Sequence, residues 1–188
     1  MSNNCRSIFY RIKLIKERGD HMIREGCFED LEQIEIIIQK AKKMMLLEGN
    51  DQWNEDYPTK KHYESDLHNG KLYVYEENGR LLGIACIDDQ GHHEYDGIDW
   101  KISKKPYLCI KRLAVNPDTR QRGVGLAFYQ YAEELAKKRK FPSLRTDTNG
   151  SNKAALRLFE RAGYSYAASE SHGHFKEPFV YYEKNVGQ

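Results

Sequence analysis

The sequence predicts a mixed α/β fold, an α+β arrangement in which one mixed sheet carries helices on both faces. Three observations carry this. LYVYE (72–76) and LLGIACI (81–87), joined through Asn78-Gly79, form a β-hairpin signature in mid-chain. Downstream, YLCIKRLAV (107–115), a periodic segment 123–140, SLRTDT (143–148) and a periodic segment 152–162 alternate strand with helix, the order of a parallel crossover. A length of 188 residues with 39% apolar side chains fits one domain with a real core.

Residues 1–21, MSNNCRSIFYRIKLIKERGDH, show little periodicity and a basic tilt, and read as an N-terminal extension. KERGDHM is encodable by a purine-rich tract of the kind that forms a bacterial ribosome-binding site before a start codon. Natural translation is therefore expected to begin at Met22, with the domain spanning 22–188. MIREGCF reads as a short strand. Leu31, Ile34, Ile37, Ile38, Ala41, Met44 and Met45 then recur at helical spacing, until Gly49-Asn50 stops the helix. Trp53 and Tyr57-Pro58 stand in a loop. Thr59 caps a second helix reaching Asn69, with Gly70 beyond it. DDQGHHEYDGIDWK (88–101) is polar and punctuated by glycine, and reads as a loop in which Glu94 and Asp99 are solvated and Trp100 is a further loop aromatic. In helix 123–140, Val124, Ala127, Phe128, Tyr131, Leu135 and Ala136 face inward. Gly163 ends the next helix. YSYAAS and PFVYYEKN close the chain as strands, and half of Tyr73, Tyr75, Tyr181 and Tyr182 are expected in the core.

A formal charge of +2 without a dominant basic run argues against a nucleic-acid partner. No apolar stretch approaches a membrane span, and the N-terminus lacks a signal peptide's apolar core and cleavage site, so a cytoplasmic protein without a membrane partner is expected. Cys5, Cys27, Cys86 and Cys109 form no C-x-x-C pair and read as free, packed thiols in a reducing compartment.

The chemistry gathers at NPDTRQRGVGLAF, 116–128. A strand ending in a turn of small residues that opens a helix points several backbone N–H groups at one place, and the helix dipole favours an anion there. Gly123 and Gly125 let a phosphate approach the main chain, while Arg120 and Arg122 bring charge to the mouth. The physical reading is a pyrophosphate cradle. A P-loop would need G-K-[ST], and a dinucleotide fingerprint a third small residue where Phe128 stands. Taken alone, the glycines fit the cap of a surface helix equally well.

R-x-x-G-x-G after a strand ending L-A-V-x-P resembles the pyrophosphate motif of the GNAT superfamily of acyl-CoA-dependent N-acetyltransferases. NKAALRLFERAGY (152–164) is similar to that superfamily's second motif, and PFVYYEKN to its final strand. The resemblance covers about Met22 to Val186. It implies a GNAT-like, mostly antiparallel sheet with one splayed parallel strand pair, and an N-acetyltransferase domain over 22–188. It also implies acetyl-CoA as co-substrate. The pantetheine arm would lie along Leu113, Ala114 and Val115 and the pyrophosphate on the N–H groups of Gln121, Arg122, Gly123, Val124, Gly125 and Leu126. Asn152 would bond the arm, and Phe159 would pack near its thiol end. The N–H of Val115 or a neighbour would stabilise the oxyanion.

Many members carry, in the second motif, a tyrosine that protonates the leaving thiolate; here Phe159 takes that position. A nearby tyrosine, water, or no acid at all are the alternatives. Asp147 is the first candidate for general base, with a structural cap for the loop leading to the Asn152 helix as its alternative. His172 and His174 read as surface or substrate-loop residues, since no further ligand spacing supports a metal. Trp53 and Tyr57 are candidate walls of the acceptor pocket. The expected reaction is direct acetyl transfer in a ternary complex to a small-molecule amine or amino acid. A non-catalytic acetyl-CoA sensor and a longer-chain acyltransferase are the rivals. By analogy with this fold, the edge of the final strands offers a homodimer contact.

Overall fold

The hairpin anticipated around Asn78-Gly79 forms the centre of one half of the sheet. Its two turn residues have φ of 52° and 77°, the left-handed pair that a type I′ turn requires. The computed structural model describes residues 21–102, 105–119, 122–173 and 175–187. The N-terminal extension lies outside the described residues except for His21, which opens the first strand.

Strands β1 (His21–Glu25), β2 (Leu72–Glu77), β3 (Arg80–Asp88), β4 (Tyr107–Val115), β5 (Ser143–Asn149), β6 (Ser165–Glu170) and β7 (Phe179–Asn185) form one seven-stranded sheet, ordered β1-β2-β3-β4-β5-β7-β6. Among the described residues only β4 and β5 pair in parallel. Helices α1 (Leu31–Leu47) and α2 (Lys60–His68) cover one face. Ile34, Ile37, Ile38, Tyr63 and Leu67 pack there on Leu72, Val74, Leu81 and Ile84. Helices α3 (Val124–Arg139) and α4 (Lys153–Arg161) cover the other, where Val124, Phe128, Tyr129, Ala132 and Phe159 meet Tyr73, Tyr75, Leu82, Leu108 and Ile110. The alternation along β2 sends Leu72 and Val74 one way and Tyr73 and Tyr75 the other. Each such buried side chain stabilises the fold by about 1.5–3 kcal/mol. Tyr73, Tyr75 and Tyr181 are all core residues, while Tyr182 is half-buried. Among the described residues no helix is long and apolar enough to cross a membrane.

Segment 88–101 is not the solvated loop its composition suggests. It holds a short 3-10 turn, His93–Asp96, and buries Tyr95, Ile98 and Trp100 against Tyr107, Cys109 and Tyr181. Arg145 of β5 is the organising group: its guanidinium stacks 4.2 Å from the Trp100 ring and 3.9 Å from the Tyr107 ring. Trp100 Nε1 donates to the Tyr95 carbonyl at 2.8 Å, and the Glu183 carboxylate accepts the N–H groups of Lys101 and Ile102. These aromatics anchor the segment without any periodic spacing.

The sheet has one defect that matters for function. Between β3 and β4 the register passes from Ile84↔Ala114 to Cys86↔Lys111, so Arg112 and Leu113 together oppose Ala85. Arg112 takes φ of 50°, an uncommon conformation for an arginine. Such a bulge bends its strand. β4 and β5 pair from Tyr107↔Ser143 to Ile110↔Thr146 and then part, although β4 runs on to Val115 and β5 to Asn149.

Candidate active site

The gap opened by that bulge is a cleft of about 590 Å³ running from the start of α3 to the fork between β4 and β5. Leu113, Ala114 and Val115 line it, with Arg122, Gly123, Val124, Gly125 and Leu126 at one end and Thr146 and Asp147 at the other. Asn152 and Phe159 of the second motif border it, as does Trp53. Arg120, Gln121 and His174 lie outside the described residues.

At the α3 end the main chain does the work. Gly123 is the N-cap residue, with φ of 78°, and no side chain caps the helix. An added Cβ at Gly123 would meet nothing within 4 Å, so the glycine is required by its dihedral and not by crowding. Gly125 is different. A Cβ there would stand 3.0 Å from Leu158 Cδ2, so this glycine lets α4 pack close to α3. Asn116 N–H donates to Leu82 O at 2.8 Å; by the alternation of an antiparallel ladder, Val115 turns its own N–H and carbonyl to the other edge, the cleft. Arg122 Nη2 reaches Glu77 Oε1 at 2.6 Å across the mouth. Asn152 Oδ1 accepts the Ala155 N–H at 3.1 Å as the cap of α4, which leaves its Nδ2 end for a ligand.

At the fork the groups are side chains. Tyr95 Oη donates to Asp147 Oδ1 at 2.6 Å. Burial raises the Asp147 pKa against the opposing pull of the His92 imidazole and the Tyr95 hydrogen bond. Burial lowers the His92 pKa, while the Asp147 charge pulls it back up. The loop before α4 is held by other groups: Asn149 Oδ1 accepts from Ser151, and Gln52 Oε1 accepts from Thr148 Oγ1 and Asn149 N.

Arg112 forks onto Asp66 through Nε and Nη2 at 2.8 and 2.5 Å, and both side chains are almost fully buried. This pair fixes the strained residue of the bulge from behind. Tyr57 Oη accepts from Arg112 Nη1 at 3.4 Å, so Tyr57 backs the bulge and is not among the residues lining the cleft. Trp53 is 7% exposed; it closes the α1–α2 core and shows one face to the cleft. His172 Nε2 lies 2.7 Å from Tyr181 Oη, and His172 is not among the residues lining the cleft. Burial raises the Cys86 thiol and pushes Cys109 up to about 12, so neither is a ready thiolate.

Tyr95, His92, Arg112 and Tyr129 all escaped the sequence reading. Only Tyr129 left a signal: it continues the row Gly125, Tyr129, Ala132, Ala136 at helical spacing, alongside the inward positions already identified. Tyr95 sits in a polar segment, and the Asp66–Arg112 pair joins residues far apart in the chain.

The acetyltransferase (GNAT) family model matches residues 38–164. The chain belongs to this family. Among solved structures, a GNAT-family acetyltransferase from Streptococcus agalactiae superposes with a TM-score of 0.78 at 28% identity, covering 90% of this chain and 97% of that one. A Salmonella typhimurium structure solved with its cofactor acetyl-CoA shares the fold at a TM-score of 0.63 and 16% identity, covering 89% and 95% of the two chains. An uncharacterized N-acetyltransferase of Methanocaldococcus jannaschii is 31% identical over 95 residues, half of this chain and 38% of that protein.

Proposed function

We propose that the protein transfers an acetyl group from acetyl-CoA to the primary amine of a small molecule or amino acid, by direct attack in a ternary complex. The observation that carries this reading is the continuity of the cleft. One space joins an anion-binding helix start, the open edge of β4 and a half-buried carboxyl. These fit the parts of acetyl-CoA in order. Gly123 presents the first-turn N–H groups without a side chain, which suits a pyrophosphate, with Arg122 beside it; Arg120 and Gln121, which precede it in the chain, are proposed to share this role. The unpaired edge at Leu113–Val115 suits a strand-like arm. Acetyl-CoA supplies an activated acyl carbon with a tolerable leaving group.

The chain's residues divide the remaining work. Asp147 takes the proton of the attacking amine; its burial moves its pKa toward the working range of a base. Tyr95 holds that carboxyl in one orientation through the 2.6 Å bond. The Val115 N–H stabilises developing negative charge on the acyl oxygen. Trp53 walls the acceptor side, and Phe159 packs at the thiol end. Direct transfer is supported by Cys86 and Cys109, whose thiols burial keeps protonated, so neither offers a ready nucleophile for an acyl-enzyme. A cytoplasmic site of action accords with this use of acetyl-CoA.

The test is release of CoA, read with a thiol reagent, across amino acids, polyamines, aminoglycosides and peptides, with a no-acceptor control. Release with one acceptor class is expected. Acetyl-CoA stabilisation without release would favour the sensor reading that Phe159 keeps alive, and absence of both would remove the cofactor.

A further inference from the structure

The apex of the fork carries a phenol that the reading above leaves unused. Tyr129 comes from α3, one helical turn after Gly125, and crosses to the base of the cleft that it lines. Its Oη lies 3.1 Å from Thr146 Oγ1, and Thr146 Oγ1 donates to the Ile110 carbonyl at 3.0 Å. The threonine has a single proton, so in this arrangement the tyrosine is the donor between them. Ile110 and Thr146 are the last residues to pair before the strands part. The hydroxyl pair therefore stands where the open edge of β4 ends.

Two other phenols neighbour Phe159 without competing. Tyr164 and Tyr182 have ring centroids 6.5 and 5.2 Å from Phe159, but neither lines the cleft. The Tyr129 ring meets Phe159 edge-on at 5.8 Å. It occupies the same corner from the opposite helix.

Resting on the acetyl-CoA reading, we propose that Tyr129 is the catalytic proton donor to the leaving sulfur, replacing from α3 the hydroxyl that position 159 lacks. As the new C–N bond forms and the C–S bond breaks, the C–S electron pair goes to sulfur. Tyr129 passes its proton there, giving the free thiol. The amine's proton leaves on Asp147, and both groups reset by exchange with solvent. Burial raises the Tyr129 pKa, so the phenol is protonated at every working pH. Thr146 holds the proton in place until sulfur charge draws it away.

The test follows the thiol of bound CoA through its ultraviolet thiolate absorbance, taken as a difference from the desulfo-CoA complex over a pH series. In the wild type the bound thiol is expected to ionise about one to two pH units below its value in Tyr129→Phe, because a donor on a charged acceptor stabilises the charge. Tyr129→Phe/Phe159→Tyr is expected to restore part of that shift. Thr146→Val, which removes the hydroxyl's resting partner, is expected to move it the other way from Tyr129→Phe, a pattern that damage to the fold would not give. Equal ionisation in wild type and Tyr129→Phe would overturn the inference and leave CoA binding intact. If Tyr129→Phe folds poorly, an unshifted Thr146→Val overturns it instead. Failure of the wild type to bind CoA would overturn the acetyl-CoA reading, and this inference with it.

Discussion

The two ends of the cleft are built by opposite means. The α3 end draws on two short stretches close in sequence, 113–119 and 122–126, and uses main-chain groups: a left-handed glycine, a helix start and the outward edge of a strand. The fork end assembles Asp147, Tyr95, Tyr129, Arg112 and Trp53 from β5, the 88–101 segment, α3, β4 and the loop after α1. A main-chain site tolerates change in most side chains but not in its special dihedrals. A side-chain site is the reverse, since each group can be removed alone while the backbone stands.

The largest effect is expected at the α3 end. Gly123→Glu places a side chain at φ of 78° and a carboxylate where the anion would sit. The dihedral alone costs roughly 1–2 kcal/mol. Acetyl-CoA affinity is expected to fall by more than about 100-fold, nearly 3 kcal/mol. Melting with and without acetyl-CoA checks it: ligand stabilisation that survives in the variant would break the comparison. Gly123→Ala carries the dihedral cost without the charge and should fall between.

Asp147→Asn is expected to lower kcat by roughly 100-fold or more while the KM for acetyl-CoA stays within about twofold. In the wild type the rate should fall as pH drops through the Asp147 pKa, which burial holds above the ordinary carboxylate range. Stability has the opposite sign. A carboxyl whose folded pKa is raised favours the fold below its unfolded pKa, and that contribution is lost as pH rises through the folded pKa. At neutral pH Asp147→Asn should therefore leave the melting temperature unchanged or raised. A large drop in melting temperature with unchanged kcat would reduce Asp147 to a structural group.

This contrast also explains what the sequence could reveal. Strand and helix limits followed from periodicity and caps: the Asn78-Gly79 turn, Thr59 and Asn152 stand where those residue types dictate. The glycine turn was legible because its chemistry is a short string. The bulge was not, because Arg112 adopts a glycine-like dihedral held by a distant Asp66. The 88–101 segment was misread because its aromatics bury through Arg145, which no local pattern announces. Side-chain constellations depend on tertiary neighbours, and those exist only after folding.

A smaller effect is expected at the acceptor wall. Trp53→Leu should raise the acceptor KM by about tenfold, near 1.4 kcal/mol, with acetyl-CoA binding little changed. It should also lower the melting temperature, because Trp53 closes the α1–α2 core. Equal losses for both substrates would mean that the two ends are not separable.

The smallest effect lies at the mouth of the cradle, and it sharpens the contrast most. Arg122 is half exposed and engages Glu77 at 2.6 Å. An exposed pair of this kind contributes about 0–1 kcal/mol to stability, so neither Arg122→Ala nor Glu77→Gln should shift the melting temperature appreciably. Their effects on binding should oppose each other. Arg122→Ala removes a cation from the anion's path and should weaken acetyl-CoA by a few-fold. Glu77→Gln releases that cation from its partner and should strengthen binding by a similar factor. Both differences should shrink as salt rises, since the charges are screened on the scale of about 10 Å at 0.1 M. If the two variants instead weaken binding alike and independently of salt, the Arg122–Glu77 pair is part of the built cradle, and the α3 end depends on side chains as much as the fork does.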